Sequence, residues 1–438
     1  MKKLGIMFCL LISIVLVTAG CSKKKEQKPE TNSEEVSSME TIEGVWNGSI
    51  NIPNQPLPII LTFDKTSGKI SIPAQGVSDY ALATVTLNET ELFFEMNIQN
   101  QRLTFDGKVE QDKISGTFTQ QGQSFPFELT KGSPEEVAET GDVVQVAVEN
   151  GKMDGLLEIP QGEGPFPLMV IIAGSGPTDR DGNSPALPGK NNSLKMIAEG
   201  LAAEGVASIR YDKRGIGVNI SLAGKEEDLQ FDHYIDDAAA WVHFAKNDPR
   251  FSEVGIIGHS EGSLIGMVAA EQADADTYIS IAGAGRPIDQ VLMEQLEAQL
   301  PANLLEESNT ILDKLKQGEQ VQTISPELQS LFRPSVQPYI ISWLQYDPAE
   351  QLKKLQVPVL LVNGTRDIQV PVKDAELLHD VKKDTELLIV DNMNHILKES
   401  PEDREGNMAT YGNPDLPLAQ GLMDGIIEFL KVKVVSEN

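Results

Sequence analysis

A serine between two glycines is the residue of this sequence whose surroundings best suit chemistry. Residues 254–266 read Val-Gly-Ile-Ile-Gly-His-Ser-Glu-Gly-Ser-Leu-Ile-Gly, an apolar strand pattern that leads through Gly-x-Ser-x-Gly into a helix of small residues. Such a turn exposes the Ser260 hydroxyl, and it needs Gly258 and Gly262 because side chains there would collide with the neighbouring backbone. The sequence therefore predicts Ser260 as a nucleophile. The alternative is a tight turn with an incidental serine.

A serine hydroxyl is unreactive at its ordinary acidity, so a histidine must take its proton. The sequence has five histidines, of which His395 lies in the loop after the apolar run Leu387 to Val390. A loop after a late strand of a parallel sheet can bring an imidazole over the serine, so His395 is the predicted base, with a surface-loop histidine as its alternative. His259, beside the serine, is expected to point elsewhere. The remaining histidines precede the serine or lie in a helical stretch: His233, His243 and His379.

The imidazole in turn needs a carboxylate that holds its tautomer and stabilises its charged form. Asp367 follows directly after the apolar run Val357 to Val362 and gives the chain order serine, aspartate, histidine. Asp391 lies close to His395 and is the main competitor, but at the end of a strand it could equally cap a turn. We therefore favour Asp367.

Two backbone N–H groups must stabilise the oxyanion that forms when a serine attacks a carbonyl. One comes from the residue after the nucleophile, Glu261. The other is expected after the first parallel strand, where Ser175 is the candidate and Gly176 the second choice. The Gly-x-Gly at this point is not a dinucleotide fingerprint, because Asp179 occupies the place of the third small residue. The charged residues 179–181 and 212–214 are expected to order the neighbouring loops rather than bind substrate.

These side chains have to be positioned by a sheet. Continuous apolar runs alternate with stretches of helical period, which predicts an α/β fold with a mostly parallel sheet and helices on both faces. The insert at about 286–345 has amphipathic helices without strands and would lie over the carboxyl edge of the sheet as a cap. The runs are Leu168 to Ile172, Val206 to Ile209, Val254 to Ile257, Tyr278 to Ala282, Val357 to Val362 and Leu387 to Val390.

The region before this pattern is of a different kind. Residues 41–132 alternate short β-prone runs with Gly, Asn and Asp turns, which predicts a small antiparallel β domain, either a barrel or a sandwich. Trp46 is expected in the core of this domain, and we assign no chemistry to the domain. Residues 133–136 form the predicted linker, and the catalytic domain is expected over 141–432.

The first residues have the order of an export signal. Two lysines, an apolar run and Thr-Ala-Gly before Cys21 predict a signal peptide over 1–20, lipid modification of Cys21 and a flexible tether over 21–40. The lipid would anchor the exported protein on the extracytoplasmic face of the bacterial cell membrane. The alternative is an ordinary cleaved signal with an incidental cysteine.

The composition excludes several classes of function. The 438 residues include 36 Lys and Arg against 65 Asp and Glu, a formal charge of −29 that disfavours nucleic acid as a partner. The two cysteines, Cys9 and Cys21, both lie in the first segment, so the rest of the chain has no thiol for a disulfide, a zinc cluster or a catalytic cysteine.

The motifs together resemble the α/β-hydrolase superfamily over about 141–432, and in particular bacterial carboxylesterases related to serine aminopeptidase-like hydrolases. The motifs are Ala-Gly-Ser-Gly-Pro-Thr-Asp-Arg-Asp-Gly at 173–182, Arg-Tyr-Asp-Lys-Arg-Gly-Ile-Gly at 210–217, Gly-His-Ser-Glu-Gly at 258–262, Asn-Gly-Thr-Arg-Asp at 363–367 and Asn-His at 394–395. The resemblance implies a Ser260, His395 and Asp367 triad and a covalent acyl-enzyme, without metal or organic cofactor. Many relatives carry His where Ala173 stands.

Three functions remain open from the sequence. A carboxylesterase for small-molecule esters with short acyl chains is the first choice. A peptidase or amidase on the same scaffold is the second, and it would need carboxylates of the cap, such as Glu294 or Glu297, to hold a substrate amine. A non-catalytic envelope lipoprotein that only binds a ligand is the third.

Overall fold

The chain divides into two compact units, Met1–Glu139 and Thr140–Asn438. The signal peptide, Cys21, the linker and the tether except Met39 fall outside the described residues. Among the helices that are described, none is both long and apolar enough to span a bilayer. The computed structural model describes residues 39, 41–52, 57–72, 77–98, 101–120, 123–132, 141–184, 189–297 and 299–433.

The first unit is a nine-stranded antiparallel sheet with the strand order β4-β3-β2-β1-β9-β8-β7-β6-β5. Its strands are β1 Gly44–Ile50, β2 Leu57–Phe63, β3 Gly68–Ile72, β4 Val77–Ala81, β5 Thr84–Asn88, β6 Glu91–Ile98, β7 Gln101–Glu110, β8 Lys113–Gln120 and β9 Gln123–Lys131.

The topology of this sheet forces it to curl. Strands β4 and β5 lie at opposite ends of the strand order, yet only Leu82 and Ala83 connect them. The connection extends the pairing of both edge strands with their neighbours, since Leu82 N–H donates to the carbonyl of Gly68 in β3 and Ala83 N–H donates to that of Glu95 in β6. The sheet is therefore curled enough to bring the end of β4 next to the start of β5, in agreement with the all-β prediction.

Aromatic side chains fill the core of the first unit. Phe94 stacks on Phe105 with ring centroids 4.4 Å apart, and Phe127 packs edge-on against both rings. Trp46 is fully buried in the same cluster, and its indole N–H donates to the carbonyl of Ile42. Trp46 is thus a core residue, as its sequence context predicted.

The second unit is built on an eight-stranded sheet with the order β10-β11-β13-β12-β14-β15-β16-β17. The first strands pair antiparallel, and β12 to β17 run parallel. The strands are β10 Asp142–Val148, β11 Gly151–Glu158, β12 Phe166–Ile172, β13 Ala207–Tyr211, β14 Phe251–His259, β15 Thr277–Ile281, β16 Val359–Gly364 and β17 Glu386–Val390.

The α-helices described in this unit are α1 Ser193–Ala203, α2 Phe231–Lys246, α3 Glu261–Gln272, α4 Ile288–Glu297, α5 Ala302–Lys316, α6 Gln329–Phe332, α7 Gln337–Trp343, α8 Pro348–Lys354, α9 Val372–Val381, α10 Arg404–Ala409 and α11 Leu422–Lys433. Short 3₁₀ turns lie at Gly217–Leu222, Glu226–Asp228, Pro326–Leu328 and Thr410–Gly412.

Both faces of the sheet are covered by helices, which explains the continuous apolar runs. Along β12, Val170 and Ile172 join the cluster that packs on α2 and α3, whereas Met169 and Ile171 join the cluster that packs on α1 and α11. Neither face of the strand can hold polar side chains, because each meets a helix layer. The α/β architecture is the one that the sequence predicted.

The insert between β15 and β16 is helical and has a core of its own. Side chains of α4, α5 and α7 form a separate apolar cluster that includes Val291, Leu312 and Ile340. The insert also contacts the carboxyl edge of the sheet, since the Gln295 side chain of α4 donates to the carbonyl of Gln369 in the loop after β16. These contacts bring the insert beside the loops that carry the candidate residues.

Candidate active site

Ser260 lies at the sharp turn between β14 and α3. Its backbone has φ 55° and ψ −121°, and its N–H donates to the carbonyl of Ile281 at 2.9 Å. A Cβ on Gly258 would lie 2.2 Å from the carbonyl oxygen of Gly262, and one on Gly262 would lie 2.4 Å from the carbonyl oxygen of Ile172. Only glycine fits at either position, because Gly258 faces the backbone of its own turn and Gly262 presses against the end of β12.

His395 joins the serine to Asp367. Its Nε2 lies 3.0 Å from Ser260 Oγ, and its Nδ1 lies 2.8 Å from Asp367 Oδ2. Because an ionised carboxylate only accepts hydrogen bonds, Nδ1 carries the proton and Nε2 is free to accept from the serine hydroxyl. The His395 and Asp367 side chains are 6% and 0% exposed, so water is largely excluded from this bond.

The carboxylate is fixed by its own loop. Asp367 Oδ1 accepts the N–H groups of Gln369 and Val370 at 2.8 and 2.9 Å, which leaves Oδ2 for the imidazole. Asp391 is exposed at the end of β17, and it is Asp367 that contacts His395. The structure thus brings together Ser260, Asp367 and His395, the combination that the sequence favoured.

Buried polar side chains hold the histidine loop against the aspartate loop. The Asn394 amide donates to Thr410 Oγ1 at 2.7 Å, and the Asn407 amide donates to the carbonyl of Arg366 at 2.8 Å. Both asparagines are fully buried. In the sequence Asn394 stands out only as part of an Asn-His pair, and no local pattern marks Asn407 or Thr410.

His259 makes a structural contact that the sequence does not predict. The sequence predicts only that its ring points away from the serine. Its Nε2 lies 2.8 Å from the carbonyl oxygen of His395, so the neutral ring donates to the backbone of the base. Burial, and then the nearby His395, lower the pKa of His259 to about 4. A neutral His259 therefore ties the nucleophile turn to the histidine loop.

The two backbone segments that carry the predicted oxyanion donors both lie beside the serine. Glu261 is the first residue of α3, where backbone N–H groups have no acceptor within the helix. A Cβ on Gly174 would lie 3.1 Å from the Ser260 Cβ, so the strand end that precedes Ser175 runs alongside the nucleophile. Gly176 follows with φ 68°.

Most of the charged residues near these loops bind protein groups. Asp212 accepts the N–H groups of Arg180 and Val218, and Arg214 forms two hydrogen bonds with Asp237 at 2.7 and 2.6 Å. Burial raises the pKa of Asp179 to about 6, and that carboxylate accepts N–H groups of its own loop. Within the described part of the chain, no group of three or more His, Cys, Asp or Glu residues could hold a metal ion.

Comparison with known proteins adds sequence relatives. Residues 191–401 match the model of a hydrolase family described as serine aminopeptidase, S33. The esterase EstD of Thermotoga maritima is 32% identical over 317 residues, which cover 69% of this chain and 73% of EstD. The family match contains Ser260, Asp367 and His395.

Solved structures are also similar. Est1E of Butyrivibrio proteoclasticus, determined with ferulic acid bound, is 18% identical with a TM-score of 0.44, and the match covers 67% of this chain and 98% of Est1E. The esterase domain of a Rhodothermus marinus protein is 14% identical with a TM-score of 0.40, and the match covers 66% of this chain and 98% of that domain.

The buried His259 makes a prediction for stability against pH. An unfolded histidine has a pKa near 6.5, so acidification protonates the unfolded chain before it protonates the folded one, and the folded state loses stability between about pH 6.5 and 4. His259→Gln keeps a donor but does not titrate. Relative to this variant, we expect wild type to lose up to about 3 kcal/mol of unfolding free energy from pH 7 to 4.

Urea denaturation at several pH values measures this difference. His243→Gln is the matched control because His243 is exposed, and it should keep the wild-type dependence on pH. Parallel curves for wild type and His259→Gln would contradict the account.

Proposed function

The chain belongs to the serine aminopeptidase, S33, family of α/β-hydrolases, and on that premise we propose that it is a serine carboxylesterase for small-molecule esters with short acyl chains. The observation that carries the proposal is the continuous contact from Ser260 through His395 to Asp367, at 3.0 and 2.8 Å. The identity of 32% with an esterase supports ester substrates.

In the proposed reaction, Ser260 Oγ attacks the ester carbonyl carbon while His395 Nε2 takes the hydroxyl proton. The N–H groups of Ser175 and Glu261 stabilise the oxyanion of the tetrahedral intermediate. The intermediate collapses as the bond to the alcohol oxygen breaks, and His395 gives its proton to the departing alcohol. Asp367 stabilises the imidazolium during both transfers without taking a proton.

The second half repeats these steps with water. His395 takes a proton from a water molecule, whose oxygen attacks the acyl carbon on Ser260. Collapse of this intermediate breaks the bond to Ser260 Oγ, which recovers its proton from His395. The acid leaves and the enzyme is restored, so the cycle consumes one water molecule and needs no further reactant.

The charges on the insert favour an ester over a peptide substrate. A peptidase that holds a substrate amine needs an available carboxylate, but Glu294 lies 2.5 Å from the Arg286 guanidinium and 2.7 Å from the Lys373 ammonium. Its charge is already balanced by two cations. Glu297 is exposed at the end of α4. We therefore place peptidase or amidase activity second.

Ser260→Ala tests the nucleophile. We expect ester turnover to fall on the order of 10⁴-fold or more, because the bond to the acyl group cannot form. Rates are measured on p-nitrophenyl esters of graded chain length and on aminoacyl p-nitroanilides, with circular dichroism to check the fold. Full activity in the variant would overturn the proposal, and Ser260-dependent cleavage of the anilides would move the assignment to a peptidase.

Asp367→Asn tests the carboxylate against its competitor. An amide at 367 donates where the carboxylate accepts, which selects the wrong imidazole tautomer, so we expect kcat to fall about 10⁴-fold. Asp391→Asn is the matched control and should keep kcat within about twofold, since surface substitutions have small effects. A large loss in the Asp391 variant with a small loss in the Asp367 variant would reverse the assignment.

We also propose that the protein is exported and lipid-anchored through Cys21, which the order of charge, apolar run and small residues at the N-terminus supports. In a bacterial host fed an alkyne-labelled fatty acid, wild type should carry the label and sediment with membranes. Cys21→Ser should lose the label, whereas Cys9→Ser, within the removed segment, should behave as wild type. A labelled Cys21→Ser protein would contradict the anchor site.

A further inference from the structure

A buried lysine connects the two backbone segments that flank the nucleophile. Lys213 follows β13, and its side chain is 2% exposed. Its ammonium donates to the carbonyl oxygen of Gly174 at 2.6 Å and to Glu261 Oε2 at 2.5 Å. The remaining side of the ammonium faces the ring of Tyr234, 4.9 Å from its centroid. Two of the three N–H groups of the ammonium thus have hydrogen-bond acceptors, and an aromatic ring lies beside the charge.

The carboxylate partner is equally engaged. The Glu261 side chain is 3% exposed, and Oε1 accepts the hydroxyl of Tyr339 from α7 of the insert, while Oε2 accepts Lys213. Burial raises the pKa of Tyr339 well above its ordinary value, so the phenol keeps its proton and donates it. Because both oxygens have donors, this carboxylate has no obvious role in binding a substrate amine.

The position of these contacts matters more than their number. The Gly174 carbonyl belongs to the same planar peptide group as the Ser175 N–H, and in a trans peptide the two bonds point in opposite directions. A cation that holds the carbonyl oxygen on one side thus fixes where the Ser175 N–H points on the other. The carbonyl is also polarised by the ammonium, which strengthens the N–H as a donor.

The second contact acts on the other oxyanion donor. Glu261 provides a backbone N–H at the first position of α3, and its own side chain is held by the same ammonium. One cation therefore restrains both backbone segments whose N–H groups the proposed reaction requires. A cation is not needed there for solubility, since it is buried, and burying it without these partners would be costly.

We infer that Lys213 is a positioning residue that sets the oxyanion hole, by binding the Gly174 carbonyl and the Glu261 carboxylate at once. The inference rests on the proposed esterase function. It assigns to Lys213 an effect on the transition state and not on substrate binding. Lys213 does not touch the reacting atoms, and it acts through the backbone at Ser175 and Glu261.

Lys213→Met in the full chain tests this inference. Loss of one oxyanion donor costs about 10²–10³ in rate, and we expect a fall in kcat near the lower limit, about 10²-fold, with KM within about threefold of wild type. Lys213→Met/Glu261→Gln leaves no unpaired charge in the site, so it keeps the test valid if the single variant folds poorly. It should show the same loss of kcat, because the Gly174 carbonyl still lacks its donor.

Inhibition by an alkyl trifluoromethyl ketone separates positioning from a general structural role. This ketone forms a tetrahedral oxyanion on a nucleophilic serine, whereas the corresponding fluorinated alcohol does not react. We expect the inhibition constant of the ketone to rise in parallel with the loss of kcat/KM in both Lys213 variants. The inhibition constant of the alcohol should stay within about threefold.

Arg214→Met is the matched control, because Arg214 is the next residue, is buried to the same extent and pairs with Asp237 instead of Gly174 or Glu261. It should lose stability in thermal unfolding and keep kcat per folded molecule. Wild-type kcat in folded Lys213→Met/Glu261→Gln, or equal losses of kcat in it and in Arg214→Met, would overturn the inference. If wild type cleaves no ester, or Ser260→Ala cleaves as fast, the proposed function itself fails instead.

Discussion

The two hydrogen bonds of His395 are the constraint on which the rest of the second unit depends. They join Ser260, 135 residues away, and Asp367, 28 residues away, within 3.0 Å and 2.8 Å of one ring. Such separations are bridged because the carboxyl ends of parallel strands meet at one edge of a sheet. The strand order brings β14, β16 and β17 to that edge with only β15 between the first two. The sheet thus sets the distances among Ser260, His395 and Asp367.

Exclusion of water strengthens these hydrogen bonds, but it also means that charged groups at the site lose their hydration. Each charge near the serine is buried, so each has to be paired or hydrogen-bonded within the protein. Asp367 takes two amide N–H groups in addition to the imidazole, and Lys213 takes a carbonyl and a carboxylate. His259 meets the same demand differently, since burial keeps it neutral. The site is therefore ordered by hydrogen bonds and ion pairs that water would weaken in an exposed cleft.

The sequence predicted those features whose signal is local. The glycines on either side of Ser260 and the strand before it lie within a dozen residues, which makes the serine predictable. The six parallel strands are predictable because residues buried on both faces are mostly apolar. The strands of the first unit are harder to predict. The short β-prone runs of residues 41–132 predict an all-β domain but not its nine strands, because short strands with one exposed face give a weak pattern.

The sequence did not separate Lys213 from its charged neighbours. The charge pattern of residues 212–214 predicts that all three order loops, which is correct for Asp212 and Arg214. The partners of Lys213 lie 39 and 48 residues away and include a backbone carbonyl, so neither periodicity nor residue type predicts these contacts. The structural contact of His259 is unpredictable for the same reason, since its acceptor is the backbone carbonyl of His395, 136 positions later.

The insert also has a part in ordering the site, through polar contacts with two of the loops that carry it. Gln295 of α4 reaches the carbonyl of Gln369, whose own N–H binds Asp367, and Tyr339 of α7 reaches Glu261 beside the serine. The buried apolar cluster of the insert is joined to the core of the sheet by Tyr339 and Trp343, which pack against both. Changes at Gln295 or Tyr339 would therefore alter the neighbours of the aspartate and of the nucleophile, and Tyr339 also links the insert to the core of the sheet.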